Sequence, residues 1–364
     1  MSFNQEKEFE LLLKTNDGDE IFKNIDTVFV KFGPKRNGIV SSWLNGGYNE
    51  DLIGVFNHQL TQENIDKLGE GGILDYLIEL SSDYSKYFNF ENSNLSGLVT
   101  SADMDKYTIC QEKYGGIELT AITTAGARVN AVSAGDEASF YEINGNYEFF
   151  ESDFKNKAGT INTIILINAN LDEDQLLIAE MTAVEAKSVA LRNLMVSSNY
   201  SEEIATGTGT DGIAIFSNLE SENFCENASK HSKLGEMIGK VVIDSVKECL
   251  AKLQWLTPTY QLNALVRLDR FDLDIDGFYN DFLNISDEND KKDFIVSLVN
   301  VSHNPELVAN VSLIIHLLDQ YRMGLLSKKT VLKVSNSILD NQLDREDWKS
   351  MKLLLEYLIK SKID

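Results

Sequence analysis

The sequence predicts a mixed sheet flanked by helices, of the α/β or α+β class, followed by an all-helical C-terminal module. Three observations predict it. Runs of β-forming residues alternate with long amphipathic patterns up to residue 257. No proline interrupts residues 35 to 257, and Pro258 directly follows a helical pattern, as a helix stop would. Beyond Pro258 the texture changes to Leu, Ile and Val at three- and four-residue spacing. The expected domains are therefore 1–257 and 258–364.

Thr27-Val28-Phe29-Val30-Lys31-Phe32 reads as a strand, and Gly38-Ile39-Val40-Ser41-Ser42 as a continuation of the same sheet. The glycines at 69, 71 and 72 form an ordinary loop before an amphipathic helix over Ile73–Leu80. Glu118–Thr124 is a strand ending at a glycine turn. Thr160 to Asn168 is the clearest strand: Ile161, Thr163, Ile164, Ile165, Leu166 and Ile167 suit burial on both faces. Asn170 or Asp172 then caps a helix reaching about Leu194, with Leu177, Met181, Val184, Leu191 and Met195 as its inward stripe. Gly212 to Phe216 is the next strand. Leu234 to Leu253 is a second long helix, with Ile238, Val241, Val242, Cys249 and Leu253 mostly inward. In the tail, helices are expected near 292–301, 305–323, 328–340 and 345–360, with turns at Asp287–Asp290 and Ser302–Pro305.

The charge balance narrows the partners. There are 57 acids against 33 bases, a net charge of −24, and 40 of the acids but 20 of the bases precede residue 259. Such a surface repels a nucleic-acid backbone and an anionic membrane. It suits a neutral or cationic ligand, and it also keeps a protein soluble. The longest apolar run, Ile164–Ile167, is too short for a bilayer, and Met1–Glu10 lacks the apolar core of a signal peptide. Cys110, Cys225 and Cys249 are odd in number and form no C-x-x-C pair. A cytoplasmic protein is expected. A homo-oligomer stays open.

Polar loop segments carry the candidate chemistry. Asn45-Gly46-Gly47 is a turn signal. Thr123 to Ala131, then Ala134-Gly135-Asp136, combines small residues with Arg128 and Asn130. Gly159-Thr160-Ile161-Asn162 leads into the clearest strand, and Ala205-Thr206-Gly207-Thr208-Gly209-Thr210-Asp211-Gly212 ends in a carboxylate. Outward main-chain amides in such loops hold polar ligands or an oxyanion. Among the four histidines, His303 reads as turn surface and His316 as a core or boundary residue. His58 sits at a polar break and is a possible ligand contact, while His231 lies just before a helix and is either a solvated helix end or a functional group. No His-pair spacing of a zinc site, nucleophile elbow, Walker run or dinucleotide fingerprint is present. No cofactor or metal ligand set is therefore indicated, and a carboxylate-bound metal stays open.

In their order along the chain, these segments, together with Glu185-Ala186-Lys187 and Lys230-His231-Ser232-Lys233-Leu234-Gly235-Glu236, resemble the adenosylcobinamide amidohydrolase family over roughly residues 25–255. The resemblance implies hydrolysis of the amide that joins the aminopropanol arm to the corrin ring, with cobalt arriving inside the substrate. Amide hydrolysis needs a base, oxyanion donors and a proton for the leaving amine. On this reading His231 is the first candidate for acid or base. Asp211 and Asp136 are the carboxylates, and Thr208 and Thr210 are donors or a nucleophile. Asn45, Gly46, Gly47, His58, Arg128, Asn130, Thr160, Asn162, Thr206, Gly207, Gly209 and Lys230 hold the substrate. The same loops suit a corrinoid carrier or sensor without hydrolysis, or an amidase of another amide-rich substrate. Nothing in the resemblance gives the tail a role.

Overall fold

The computed structural model describes residues 8–61, 64, 65, 68, 72–150, 159–284 and 287–363. The expected loop at Gly69–Gly71 lies outside the described residues. The chain divides into two compact units, Met1–Leu256 and Thr257–Asp364.

The first unit contains two main sheets. One has the order β1 (Glu10–Lys14), β2 (Glu20–Lys23), β3 (Thr27–Lys31), β6 (Gly54–Gln59), β7 (Leu95–Thr100). The other has the order β5 (Gly47–Asn49), β4 (Arg36–Val40), β15 (Gly212–Asn218), β13 (Ile161–Ile167), β9 (Ile117–Ala125), β8 (Thr108–Tyr114). Each sheet holds one parallel pair, β6 with β7 and β13 with β15. A parallel pair needs a long crossover, and helices α1 (Gly72–Tyr87) and α2 (Glu173–Asn193) lie within the two crossovers. Helix α3 (Lys233–Gln254) packs on β8 and β9 and beside α2. Two short ribbons complete the unit, β10 (Ala131–Val132) with β14 (Gly207–Thr208), and β11 (Phe140–Ile143) with β12 (Asn146–Phe149).

Strand alternation assigns the layers. Ile164 and Leu166 of β13 join Val28, Val30 and Val55 in a core between the two sheets. Phe29 and Phe56 point to the opposite face and pack with Leu77 and Tyr84 of α1. The unit is thus helix, sheet, sheet, helix.

Two expectations fail in this unit. Gly38–Ser42 does not continue the sheet of Thr27–Phe32. The chain leaves one sheet after Lys31 and enters the other at Arg36. Gly33 makes this possible: a β-carbon there would stand 2.4 Å from the carbonyl carbon of Gly18, and its N–H donates to Asp19 Oδ1 at 3.0 Å. Arg36 then fixes β4 in the second sheet, through Asp17, Asp19 and a bond to the Ile167 carbonyl at 3.1 Å. The inward face of α2 is also shifted by one position. Leu176, Ala179, Ala183, Ala186, Ala190 and Leu191 are buried, whereas Leu177, Met181 and Val184 are 52%, 59% and 42% exposed. Met195 lies past the helix end, half-buried at φ 50°. The alanine row competes with the larger apolar row in the sequence, and small side chains are what this packed face uses.

The second unit is helical: α4 (Glu288–Val301), α5 (Pro305–Arg322), α6 (Lys328–Asn341) and α7 (Lys349–Ile363), preceded by a short helix at Ala264–Leu268. The expected turn at Asp287–Asp290 is already helix from Glu288. Asn304 caps α5 with Pro305 at its first position, and Ser327 caps α6. Their apolar faces enclose Phe271, Phe278, Leu307, Trp348 and Leu355. His316 is not a core residue: it is exposed, with Nε2 2.6 Å from Gln320 Nε2 one turn on.

Candidate active site

The starts of the parallel strands β13 and β15 hold the densest polar cluster of the loop segments. Asp211, immediately before β15, accepts from Thr208 N–H at 2.9 Å, Ile161 N–H at 3.0 Å, the Thr208 hydroxyl and the Lys187 ammonium. The two ion-paired side chains are only 17% and 14% exposed, for Lys187 and Asp211 respectively. Gly207 admits the pair: a β-carbon there would lie 2.4 Å from Asp211 Oδ2 and 2.9 Å from Lys187 Nζ. Thr210 donates to the Gly159 carbonyl at 3.0 Å and accepts from Thr160 at 2.7 Å. Asn130 Nδ2 donates to the same carbonyl at 3.0 Å, and its Oδ1 accepts from Tyr200. Gly209 packs on the Asn130 side chain. Thr206 Oγ1 accepts from Ala134 N–H at 2.8 Å, and β10 pairs with β14 across the cluster. Three of the four predicted loop segments therefore meet here.

Beside the cluster lies a cleft of about 210 Å³, walled by Ser41, Glu180, Val184, Lys187, Asp211 and Ile213 over a floor of Ile161 and Thr163. Glu180 and Lys187 are seven residues apart on α2, two turns, so they share a face. Glu180 is half-buried, and its carboxylate has no hydrogen bond or ion pair among the described residues. That distinguishes it from Asp211, whose oxygens are occupied by four donors. Ser41 Oγ accepts from Ile213 N–H at 2.8 Å and donates to the Ile213 carbonyl at 3.2 Å. Chemically, the cleft offers an available carboxylate, a fixed ammonium and a hydroxyl. In the sequence Glu180 carries one signal, its two-turn spacing from Lys187, and a glutamate on a helix commonly reads as solvated surface; Ser41 carries none.

Other predicted residues lie elsewhere. His231 is exposed, has no polar partner among the described residues, and precedes the Ser232 cap of α3. The α3 residue lining the cleft is Val242, nine residues past the helix start, or about 14 Å along the axis. His231 and Asp211 thus form no contact. Lys230 pairs with Glu185 at 2.8 Å, and both are exposed. His58 is 1% exposed and sits on β6 facing α1; its Nδ1 is 2.8 Å from Thr27 Oγ1 and its Nε2 2.7 Å from Tyr76 Oη. It is a packed residue, not a wall of the cleft. Asn162 is buried between the sheets and donates to Asn57 Oδ1 and the Val99 carbonyl, both at 2.8 Å. The amides of Ala127 and Arg128 do not face a ligand, because Gln254 Oε1 takes both. The Arg128 side chain is exposed. Asp136 braces its own loop, accepting from Ser133 N–H at 2.8 Å and from Ser198 Oγ at 2.6 Å. Asn45, at φ 48°, donates to the Leu95 carbonyl at 2.8 Å, and Gly46 and Gly47 turn the chain into β5. That turn follows Ser41 but does not itself line the cleft.

Burial pushes the Cys110 thiol up to about 11, aided by Glu248, and the Cys249 thiol up to about 12. Among the described residues, no group of three or more His, Cys, Asp and Glu side chains is placed to hold a metal ion.

Comparison with known proteins adds a family. The family model described as adenosylcobinamide amidohydrolase matches residues 12–258. An uncharacterised protein of Methanocaldococcus jannaschii is 30% identical over 247 residues, covering 64% of this chain and 89% of its own length. An adenosylcobinamide amidohydrolase of Methanosarcina mazei is 27% identical over 224 residues, covering 57% of this chain and 87% of its own. Among solved structures, a Pyrococcus horikoshii OT3 protein matches at TM-score 0.30 and 14% identity, over 67% of this chain and 83% of that one.

Proposed function

The chain belongs to the adenosylcobinamide amidohydrolase family, and on that premise we propose that it hydrolyses the amide joining the aminopropanol arm to the corrin ring of adenosylcobinamide. The products are adenosylcobyric acid and 1-amino-2-propanol or its phosphate. The observation that carries the reading is the extent of the family match: residues 12–258 include every residue that lines the cleft beside Asp211.

The reading assigns the cleft to the scissile amide. Glu180 takes a proton from water as the water oxygen attacks the amide carbon. The carbonyl oxygen gains negative charge facing the Lys187 ammonium. The C–N bond then breaks as the proton passes from Glu180 to the leaving amine. Asp211 is a positioning residue, holding Lys187 while the threonine loop holds Asp211. Ser41 orients the arm through its hydroxyl. His231 has no step in this scheme, because the cleft's α3 wall begins about 14 Å along the helix from it.

The test is incubation of the full chain with adenosylcobinamide, followed by chromatography for adenosylcobyric acid. Wild type is expected to form product, Glu180→Gln to lose about 10²–10⁴-fold in kcat, and His231→Ala to stay within about threefold of wild type. Tight binding without product would make the protein a corrinoid carrier and end the hydrolytic reading. Full activity in Glu180→Gln would remove the assigned base.

A further inference from the structure

We propose that the exposed apolar face of α2, formed by Leu177, Met181 and Val184, is the seat of the corrin macrocycle, while the cleft beside it receives only the arm that is cut. The inference rests on the assignment of that cleft to the scissile amide.

Size is the first argument. The cleft holds about 210 Å³. Sites that enclose a drug-sized ligand run to ~300–1,000 Å³, and a corrinoid is larger than such ligands. An arm with its amide fits the cleft, and the ring must then rest on a rim. Continuity is the second. At 100° per residue, Leu177, Met181 and Val184 lie within about 60° of one another around α2. Val184 belongs to both surfaces, since it also walls the cleft. An arm seated between Glu180 and Lys187 therefore leaves its macrocycle against this face. The third is that folding does not account for the face. The helix packs through Leu176, Ala179, Ala183, Ala186 and Ala190, and leaves Leu177, Met181 and Val184 at 52%, 59% and 42% exposure. Three apolar side chains in one row on the outer side of a helix form a patch rather than scattered singles. Methionine at its centre adapts its unbranched thioether to an irregular ring surface. Charge is the fourth. Glu180 lies about 70° to one side of the row without an ion pair among the described residues, and the macrocycle carries its positive charge at cobalt.

The test uses the full chain with adenosylcobinamide, and compares wild type, the double variant Leu177→Ser/Met181→Ser and the volume-conserving Met181→Leu. Turnover gives kcat and KM, and equilibrium dialysis, run in the Glu180→Gln background wherever wild type turns over, gives Kd. Circular dichroism and size-exclusion chromatography check folding and assembly. The expected result is a KM and Kd about tenfold higher in the double variant, kcat reduced less than about threefold, and Met181→Leu within about twofold of wild type. Unchanged KM and Kd in a folded double variant, with wild type active, would overturn the inference and leave the hydrolytic reading standing. Unchanged affinity with a shift from dimer to monomer would assign the face to a second copy, and would also overturn it. If wild type binds without turnover, the hydrolytic reading fails and Kd alone decides for or against the seat. If wild type neither binds nor turns over, both fail together.

Discussion

Gly207 is where a missing side chain becomes chemistry. Its missing side chain leaves room for Asp211 Oδ2 and Lys187 Nζ to meet, since a β-carbon would stand 2.4 Å and 2.9 Å from them. Gly207→Ala should therefore displace the pair. The expected outcome is a loss of about 1–3 kcal/mol from overpacking, read by urea unfolding, with kcat down at least tenfold. Asp211→Asn leaves Lys187 in a mostly covered position without its partner, and should cost about 3 kcal/mol. By contrast, the thiols should be bystanders. A pKa of about 11 leaves Cys110 almost wholly protonated near neutral pH, and Cys249, at about 12, more so. A thiol attacks only as thiolate. Cys110→Ser with Cys225→Ser should keep kcat within about twofold, and iodoacetamide at pH 7.5 should label Cys249 only on unfolding. Part of this residue-level picture is legible in the sequence. Thr160, Thr208, Thr210 and Asp211 can be picked out because glycine and threonine runs next to a strand have few structural uses. Glu180 cannot, because its significance depends on having no partner among the described residues. His58 misleads for the opposite reason: its partners Thr27, Tyr76 and Tyr84 come from other elements.

At the scale of elements, periodicity finds a helix more readily than it finds the helix's inward face. α2 carries two adjacent apolar rows, and hydrophobicity alone favours Leu177, Met181 and Val184. Packing selects the alanines instead, and Ala179, Ala183 and Ala190 are at most 1% exposed. Ala190→Leu should accordingly destabilise by about 1–3 kcal/mol, whereas Leu177→Ala should change stability by less than about 0.5 kcal/mol. Matched urea titrations of the two variants check the pair, and the reverse order would mean that the helix is rotated. A similar ambiguity explains the two sheets. Thr27–Lys31 is a run of β-formers and Arg36–Val40 ends in Ile39 and Val40, and nothing local says that they part. The parting is made by Gly33 against Gly18 and by Arg36 against Asp17 and Asp19, contacts whose geometry no window of sequence contains.

At the scale of the whole molecule, the change of texture at Pro258 and the two compact units invite a test of independence. Each unit has an apolar core of its own: one between the sheets around Val30, Ile164 and Phe216, the other around Phe278, Leu307 and Trp348. The charge differs as well, for the residues up to 258 carry a net −20 and those beyond a net −4. We propose that 1–257 and 258–364 fold as separate domains, with the corrinoid chemistry confined to the first. Trp255 ends α3 at φ 58°, and no helix or strand forms again until Ala264, so the connecting backbone is the expected site of proteolytic nicking. Limited proteolysis should cut between residues 255 and 263 and yield two fragments that separate on anion exchange. The fragment 1–257 should unfold cooperatively and turn over adenosylcobinamide with kcat within about threefold of the full chain. A fragment that precipitates would end the proposal of separate folding. A soluble, cooperatively unfolding fragment without activity would instead give the helical tail a part in catalysis, because the cleft, the Lys187–Asp211 pair and Glu180 would all still be present in it.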